Sequence, residues 1–222
     1  MDWINYTLFT LGGAPVLLID LISSVLGLTC VFLAGRNSKY NFWVGYLYTA
    51  ALFLLFWNKN LYASLFLQPI SLTINIIGHW RWTHPKKEEE SSSGDLKVTR
   101  LSAQQRILSV VVVLLLSAAW GWLLNTVLPN DPHPYLDTIV TVLILYAQLL
   151  SALKKWDCWI VWMLVNVTQI ILHISVGHVF MPIVCGLYLV NGIWSLASWW
   201  KLYKRENAGQ TGGNPRQEGG NS

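Results

Sequence analysis

Charge is scarce in this chain. Only 12% of its 222 residues are Asp, Glu, Lys or Arg, about half the share of an average globular protein. So few charges cannot cover a water-facing surface, which excludes an ordinary soluble domain. Cysteine is scarce too: Cys30, Cys158 and Cys185 fall in separate apolar stretches, with no C-x-x-C and no paired spacing. That pattern indicates neither a disulfide framework nor a zinc site. Catalytic signatures are missing as well, with no HExxH, G-x-S-x-G, Walker or G-x-G-x-x-G element. The histidines (His79, His84, His133, His173, His178) sit mainly at the ends of apolar stretches, and His173 and His178, five apart, do not share a helical face. No enzyme activity, metal or cofactor is expected. No basic segment precedes the first apolar stretch, so no cleavable signal peptide is predicted.

What the chain does have is long apolar blocks: 54% of residues are hydrophobic and the mean hydropathy is +0.43. Together these predict an all-α polytopic membrane protein. The net charge of +4 is not a nucleic-acid footprint, because the charges cluster in loops. After a polar-aromatic lead (residues 1–13), seven spans are predicted: Ala14–Leu33, Phe42–Trp57, Leu61–Trp82, Ile107–Leu128, Leu136–Leu153, Trp159–Ile174 and Val179–Trp200. The stretch Lys86–Arg100, carrying KKEEE and SSSGD, reads as a solvated linker, and the tail after Arg205 as disordered. When alternate loops are assigned to one side, 14 Lys and Arg fall there against Lys59 alone on the other. The positive-inside rule then places the N-terminus outside and the C-terminus in the cytoplasm. Trp43, Trp80, Trp82, Trp156, Trp199 and Trp200 would form the inner aromatic belt.

A shift of 117 residues pairs Asp20 with Asp137, Phe42 with Trp159, Thr49 with Asn166, Asn60 with Gly177 and Trp82 with Trp199. Three helices reverse direction, so two parallel three-helix copies need one extra helix between them. The organisation predicted is therefore 3+1+3: a first repeat (14–82), a cytoplasmic linker (83–106), a linker helix (107–128), a second repeat (136–203) and a tail (204–222). Such halves hold a substrate between them near the midplane.

Polar residues inside spans nominate the site. Trp159, Trp162 and Asn166 share one helical face at i, i+3 and i+7. Asn166 lies about 16 Å beyond Lys155 at 1.5 Å per residue, near mid-membrane. Trp156 and Trp159 fit an interfacial belt; Trp162 and Asn166, deeper, fit a planar polar ligand, with helix–helix bonding as the alternative. Gln68 and Gln148 reach similar depth from two other spans, while Asn75 and Asn191 lie closer to the inner side. Gln68, Ser71 and Asn75 share a face. Asp20, read as two turns into the first span, either attracts a cation or locks that helix; Asp137 does the former or begins the fifth helix. Pro69 and Pro182 would interrupt the third and seventh spans, as hinges or as static kinks.

The W-x-x-W-x-x-x-N element (Trp159, Trp162, Asn166), the stretch Asn60-Leu-Tyr-Ala-Ser-Leu-Phe-Leu-Gln68 and Gly27-Leu-Thr-Cys-Val-Phe-Leu-Ala34 resemble the PnuC family of bacterial vitamin transporters. Asp20, Asp137 and Ala147-Gln148 also fit, and the likeness covers roughly residues 15–203. It implies a SWEET-like bundle and facilitated diffusion of a vitamin across the inner membrane. Nicotinamide riboside is the first candidate, with thiamine or riboflavin as alternatives. Trapping would be by a cytoplasmic kinase that need not touch the transporter, and a homo-oligomer, a trimer by this likeness, is implied. Family substrate contacts carry over to Gln68, Trp162 and Asn166, and to Gln148 and Trp159. The second span departs from the family where Tyr48 follows Gly45, as does the stretch His178 to Cys185. A lipid-modifying membrane enzyme would need acidic or histidine clusters at one interface, which are absent from the sequence; a receptor would bind the ligand without moving it.

Overall fold

The apolar blocks fold into seven α-helices in a computed structural model that describes residues 4, 6–58, 62–91, 93–127, 134–175 and 177–211. They are α1 (Leu18–Gly35), α2 (Tyr40–Asn58), α3 (Tyr62–Thr83), α4 (Ala103–Val127), α5 (Pro134–Ala152), α6 (Cys158–Ser175) and α7 (Phe180–Thr211). Four of these, α1, α4, α6 and α7, are long and apolar enough to cross a membrane; the apolar part of α5 is shorter, Thr138–Ala152. The chain is a multi-pass membrane protein.

Local chemistry sets several helix ends. Ser102 opens α4 with a capping box, in which Gln105 N donates to Ser102 Oγ (3.2 Å) and Ser102 N to Gln105 Oε1 (2.9 Å). The predicted first span starts too early. Gly12 and Gly13, both at positive φ, let Thr7–Leu11 (β1) turn back and pair antiparallel with Ala14–Leu17 (β2). The first four residues of that span are therefore strand, and part of the N-terminal lead is hairpin. Pro182 is likewise no interruption: it is the third residue of α7, within the first turn where no backbone N–H is needed. Pro69 does lie inside α3.

Six helices close a ring. α1 packs on α2, α2 on α3, α3 on α5, α5 on α6, α6 on α7, and α7 returns to α1, while α4 packs on α5 from outside. The 117-residue shift reappears in the helix ends, for Gly35 and Asn58 end α1 and α2, and Ala152 and Ser175 end α5 and α6. It reappears in contacts too. Trp82 Nε1 donates to Ser151 O and Trp199 Nε1 to Ala34 O, both at 3.2 Å. Close approach follows the same relation. A β-carbon on Gly78 would stand 2.9 Å from Ala152 Cβ, and Ser195 Oγ fills the corresponding space at Gly35. The α3–α5 and α1–α7 contacts thus each depend on one glycine.

The linker is only partly solvated. Leu96 and Val98 are 3% and 1% exposed and pack into the main core with Phe42, Trp82, Cys158, Trp159 and Trp199. Its backbone is tied down as well: Val98 N donates to Glu206 Oε2 (2.7 Å), Thr99 N to Lys154 O (3.1 Å) and Trp156 N to Thr99 O (3.0 Å). Charge ratios hid this, because the charged residues KKEEE lie at its start and the apolar anchors come after. Two of its ion pairs are partly exposed, Lys39–Asp95 (2.8 Å) and Arg81–Glu89 (3.0 Å), whereas Arg106 reaches the buried Asp157 (2.8 Å). The tail expectation is corrected too, since α7 continues past Arg205 to Thr211; residues 212–222 lie outside the described residues.

Candidate functional site

The end of the ring that carries most Lys and Arg is closed by aromatic side chains. Phe42 meets Trp82 edge-on at 5.1 Å, and Trp159 meets Trp199 edge-on at 5.5 Å. Trp82 and Trp199 then face each other at 5.7 Å. Such pairs combine a large buried area with a preferred geometry. Trp82, Trp159 and Trp199 are therefore core residues, whereas Trp43 and Trp80 are exposed as belt residues would be. Lys154, at positive φ in the turn between α5 and α6, is buried with Nζ 4.8 Å from the Trp82 ring. Burial pulls its pKa down from 10.5 to about 8, against the pull of nearby Asp95 and Glu206.

Amides lie farther along the ring. Ser71 of α3 donates to Gln148 Oε1 of α5 at 2.8 Å, joining those two helices. One turn away, buried Gln68 donates through Nε2 to Ser64 O (3.2 Å), while its buried Oε1 has no donor. Asn75 donates to Phe42 O (3.3 Å) and packs against Gly45. Trp162 Nε1 points to Ser151 Oγ of α5 at 3.3 Å, and Asn166, 5% exposed, donates to Trp162 O at 2.8 Å. Gln148 is thus brought to Ser71 across the seam and Trp162 to α5, whereas Asn166 and Gln68 bond within their own helices.

Other nominated residues sit elsewhere. Trp159 lies in the aromatic closure. Asn191 lines a groove with Phe32, Arg36 and Trp194 on the faces of α1 and α7. Asp20 is not two turns deep: it is in the first turn of α1, where its Oδ2 accepts from Leu17 N at 3.1 Å. The hairpin takes up the residues that had been counted as helix above it. Asp137 is in the first turn of α5, and its side chain lies outside the described residues, as do Asn60 and Leu61.

Two features had no sequence signal. Tyr48 and Tyr188 converge from α2 and α7, and both side chains occupy space left open by Gly27. Cys185 Sγ lies 3.6 Å from Gln169 Oε1 in the same part of the bundle. The α6–α7 turn also brings His173 and His178 together, Nδ1 to Nδ1 at 3.3 Å, although among the described residues no third metal-ligating group joins them.

Neutral amides, hydroxyls and indoles suit a polar, flat, weakly charged molecule better than a bare ion. An acceptor such as Gln68 Oε1, buried and unpaired, gains most from a ligand donor.

Residues 17–201 match the sequence profile described as nicotinamide mononucleotide transporter. The riboflavin/roseoflavin transporter RibM of Streptomyces davaonensis is 23% identical over 208 residues, 93% of this chain and 96% of that one. The nicotinamide riboside transporter PnuC of Escherichia coli is 25% identical over 189 residues, 75% of this chain and 78% of its own. Among solved structures, the crystal structure of the vitamin B3 transporter PnuC is similar at a TM-score of 0.68 and 21% identity, covering 85% of this chain and 83% of that one. That likeness speaks to the fold.

Proposed function

The chain belongs to the PnuC, or nicotinamide mononucleotide transporter, family of vitamin transporters, and from that premise we propose that it mediates facilitated uptake of nicotinamide riboside across the bacterial inner membrane. Phosphorylation by a cytoplasmic kinase then keeps the inward gradient, with no contact between kinase and transporter required. The observation that carries this reading is the mid-ring pair Ser71–Gln148, with the unpaired Gln68 Oε1 one turn away. A ribosyl hydroxyl or the carboxamide N–H₂ of the vitamin is the donor that such an acceptor lacks. Trp162 supplies a flat surface for the pyridinium ring, and Asn166 a further amide. Gln148 and Trp159 are family-equivalent contacts, and Asn75 is a deeper polar contact on the path. Asp20 and Asp137 add negative potential at the opposite entrance.

The helices work as two parallel three-helix repeats joined by α4, with the N-terminus outside and the C-terminus in the cytoplasm. The two halves rock about the central site, exposing it to one side at a time. The working unit is a homo-oligomer.

Riboflavin is the second reading. The near-full-length likeness to a riboflavin/roseoflavin transporter favours it, as does the Tyr48–Tyr188 pair, which offers further aromatic surface. The deciding experiment is calorimetry on purified protein with nicotinamide riboside, riboflavin and thiamine, followed by liposome uptake of whichever binds. Nicotinamide riboside should bind and enter without an ion gradient. Riboflavin binding with no response to nicotinamide riboside transfers the assignment to the second reading. Binding without uptake makes the protein a receptor.

A further inference from the structure

Between α1 and α7, on the side facing away from the ring, lies a shallow groove of about 440 Å³ lined by Phe32, Arg36, Leu187, Val190, Asn191 and Trp194. Its walls follow helical spacing: Leu187, Val190, Asn191 and Trp194 stand at i, i+3, i+4 and i+7, and Phe32 and Arg36 at i and i+4. The four large apolar side chains are among the exposed ones, so in a bilayer they face lipid. Three features set this groove apart from ordinary lipid-facing surface. Arg36, just past the end of α1, stacks on Phe32 (4.5 Å) and Trp194 (5.6 Å) and has no carboxylate partner among the described residues. Asn191 carries a buried amide nitrogen with no acceptor, which its side chain would have to turn outward to satisfy from the groove. The two lie at different depths, since Asn191 is one turn, about 5 Å, farther into the membrane than Trp194.

A guanidinium held over two rings keeps its N–H edge for an anion, and phosphate matches that fork in a two-point contact. The spacing also fits. A phospholipid carries its phosphate at the membrane surface and its glycerol ester carbonyls a few ångströms deeper, above the acyl chains. We propose that this groove is a binding site for an anionic phospholipid. Arg36 takes the phosphate, the Asn191 amide donates to an ester carbonyl, and an acyl chain lies along Leu187, Val190 and Phe32. No carboxylate lines the groove to repel the headgroup. The site sits where α1 meets α7, one of the two seams between the halves, so its occupant touches both sides of a junction that must move.

The test uses purified full-length protein and native mass spectrometry with phosphatidylglycerol and phosphatidylethanolamine of identical acyl chains. Phosphatidylglycerol should be retained about fivefold better, the scale of one basic side chain at a lipid surface. Arg36→Gln should abolish that preference, Arg36→Lys should keep part of it, and Asn191→Leu should weaken retention of both lipids. A readout on the unaltered groove is quenching by brominated phosphatidylglycerol, taken as the difference between wild type and Trp194→Phe. That difference should exceed the one obtained with brominated phosphatidylethanolamine. Equal retention of the two lipids, a preference untouched by Arg36→Gln, or a second copy of the chain protecting Trp194 from both quenchers overturns the proposal.

Discussion

The indoles of Trp82 and Trp199 lie 5.7 Å apart, and each donates its N–H at 3.2 Å to a carbonyl of a neighbouring helix, Trp82 to Ser151 of α5 and Trp199 to Ala34 of α1. Opening that end of the ring must break both bonds and separate four packed rings. Cys158, fully buried in the same core, reports on such opening. With Cys30 and Cys185 replaced by Ala, alkylation of Cys158 should be slow in the wild-type background and several-fold faster in Trp82→Ala or Trp199→Ala. An unchanged rate in folded variants means that the cluster is static packing, not a gate.

Ser71 and Gln148 form the polar link between α3 and α5 at mid-ring. Ser71→Ala leaves an acceptor unpaired and should cost about 1 kcal/mol of stability. Combined with Gln148→Leu the loss should be less than additive, and that non-additivity in thermal denaturation is the check.

Asn166→Leu should fold, because the bond it deletes lies within its own helix. It should nevertheless weaken vitamin binding by about 1–3 kcal/mol, the scale of a lost buried polar partner. Normal affinity by calorimetry would make Asn166 a helix-packing residue only.

The helices were legible because a bilayer demands long apolar runs, and the basic residues grouped as orientation rules require. The offset pairing Trp82 with Trp199 was legible, but not the contacts it marks, since nothing in the sequence says that each indole reaches a carbonyl of a neighbouring helix. The linker was misread because composition averages over a window: KKEEE outweighs Leu96 and Val98, and those two decide where the segment lies. Asp20 was placed too deep because Ala14–Leu17 is as apolar as a helix; the Gly12-Gly13 turn before it was the missed signal. The approach of Tyr48 and Tyr188 at Gly27 was out of reach, since a tertiary contact leaves no local pattern.

Lys154 makes stability depend on pH with a definite sign. Its pKa is about 8 in the fold and about 10.5 when unfolded. Between these values the unfolded chain binds more protons, so folding gains as pH rises through that window. Below pH 8 the full cost of the buried ammonium remains. The gain amounts to about 3 kcal/mol at most. Other groups titrate there too, so the measurement is a difference: the denaturation midpoint of wild type should climb relative to Lys154→Met from pH 8 to 10. Parallel curves would mean that Lys154 is not titrating in this range.

Topology carries the last prediction. The linker, the Lys154-Lys155 turn and the end of α7 meet at one end of the ring, joined by Val98 N to Glu206 and Thr99 N to Lys154 O. Whichever side one of them occupies, all occupy. Among the described residues, Lys and Arg fall on the segments that meet there, from Arg36 and Lys39 through the linker to Lys201, Lys204 and Arg205, and moving them across a membrane during insertion is disfavoured. That end should therefore face the cytoplasm. A cysteine at Lys87, which is exposed on the linker, and another at Asn130, outside the described residues between α4 and α5, test this in a cysteine-free background. An impermeant thiol reagent added to intact cells should label position 130 and not position 87, and both should react once the cells are opened. The reverse pattern overturns the orientation. Labelling of both in intact cells would mean that α4 does not cross the membrane, and the two sets of three helices could then not lie parallel.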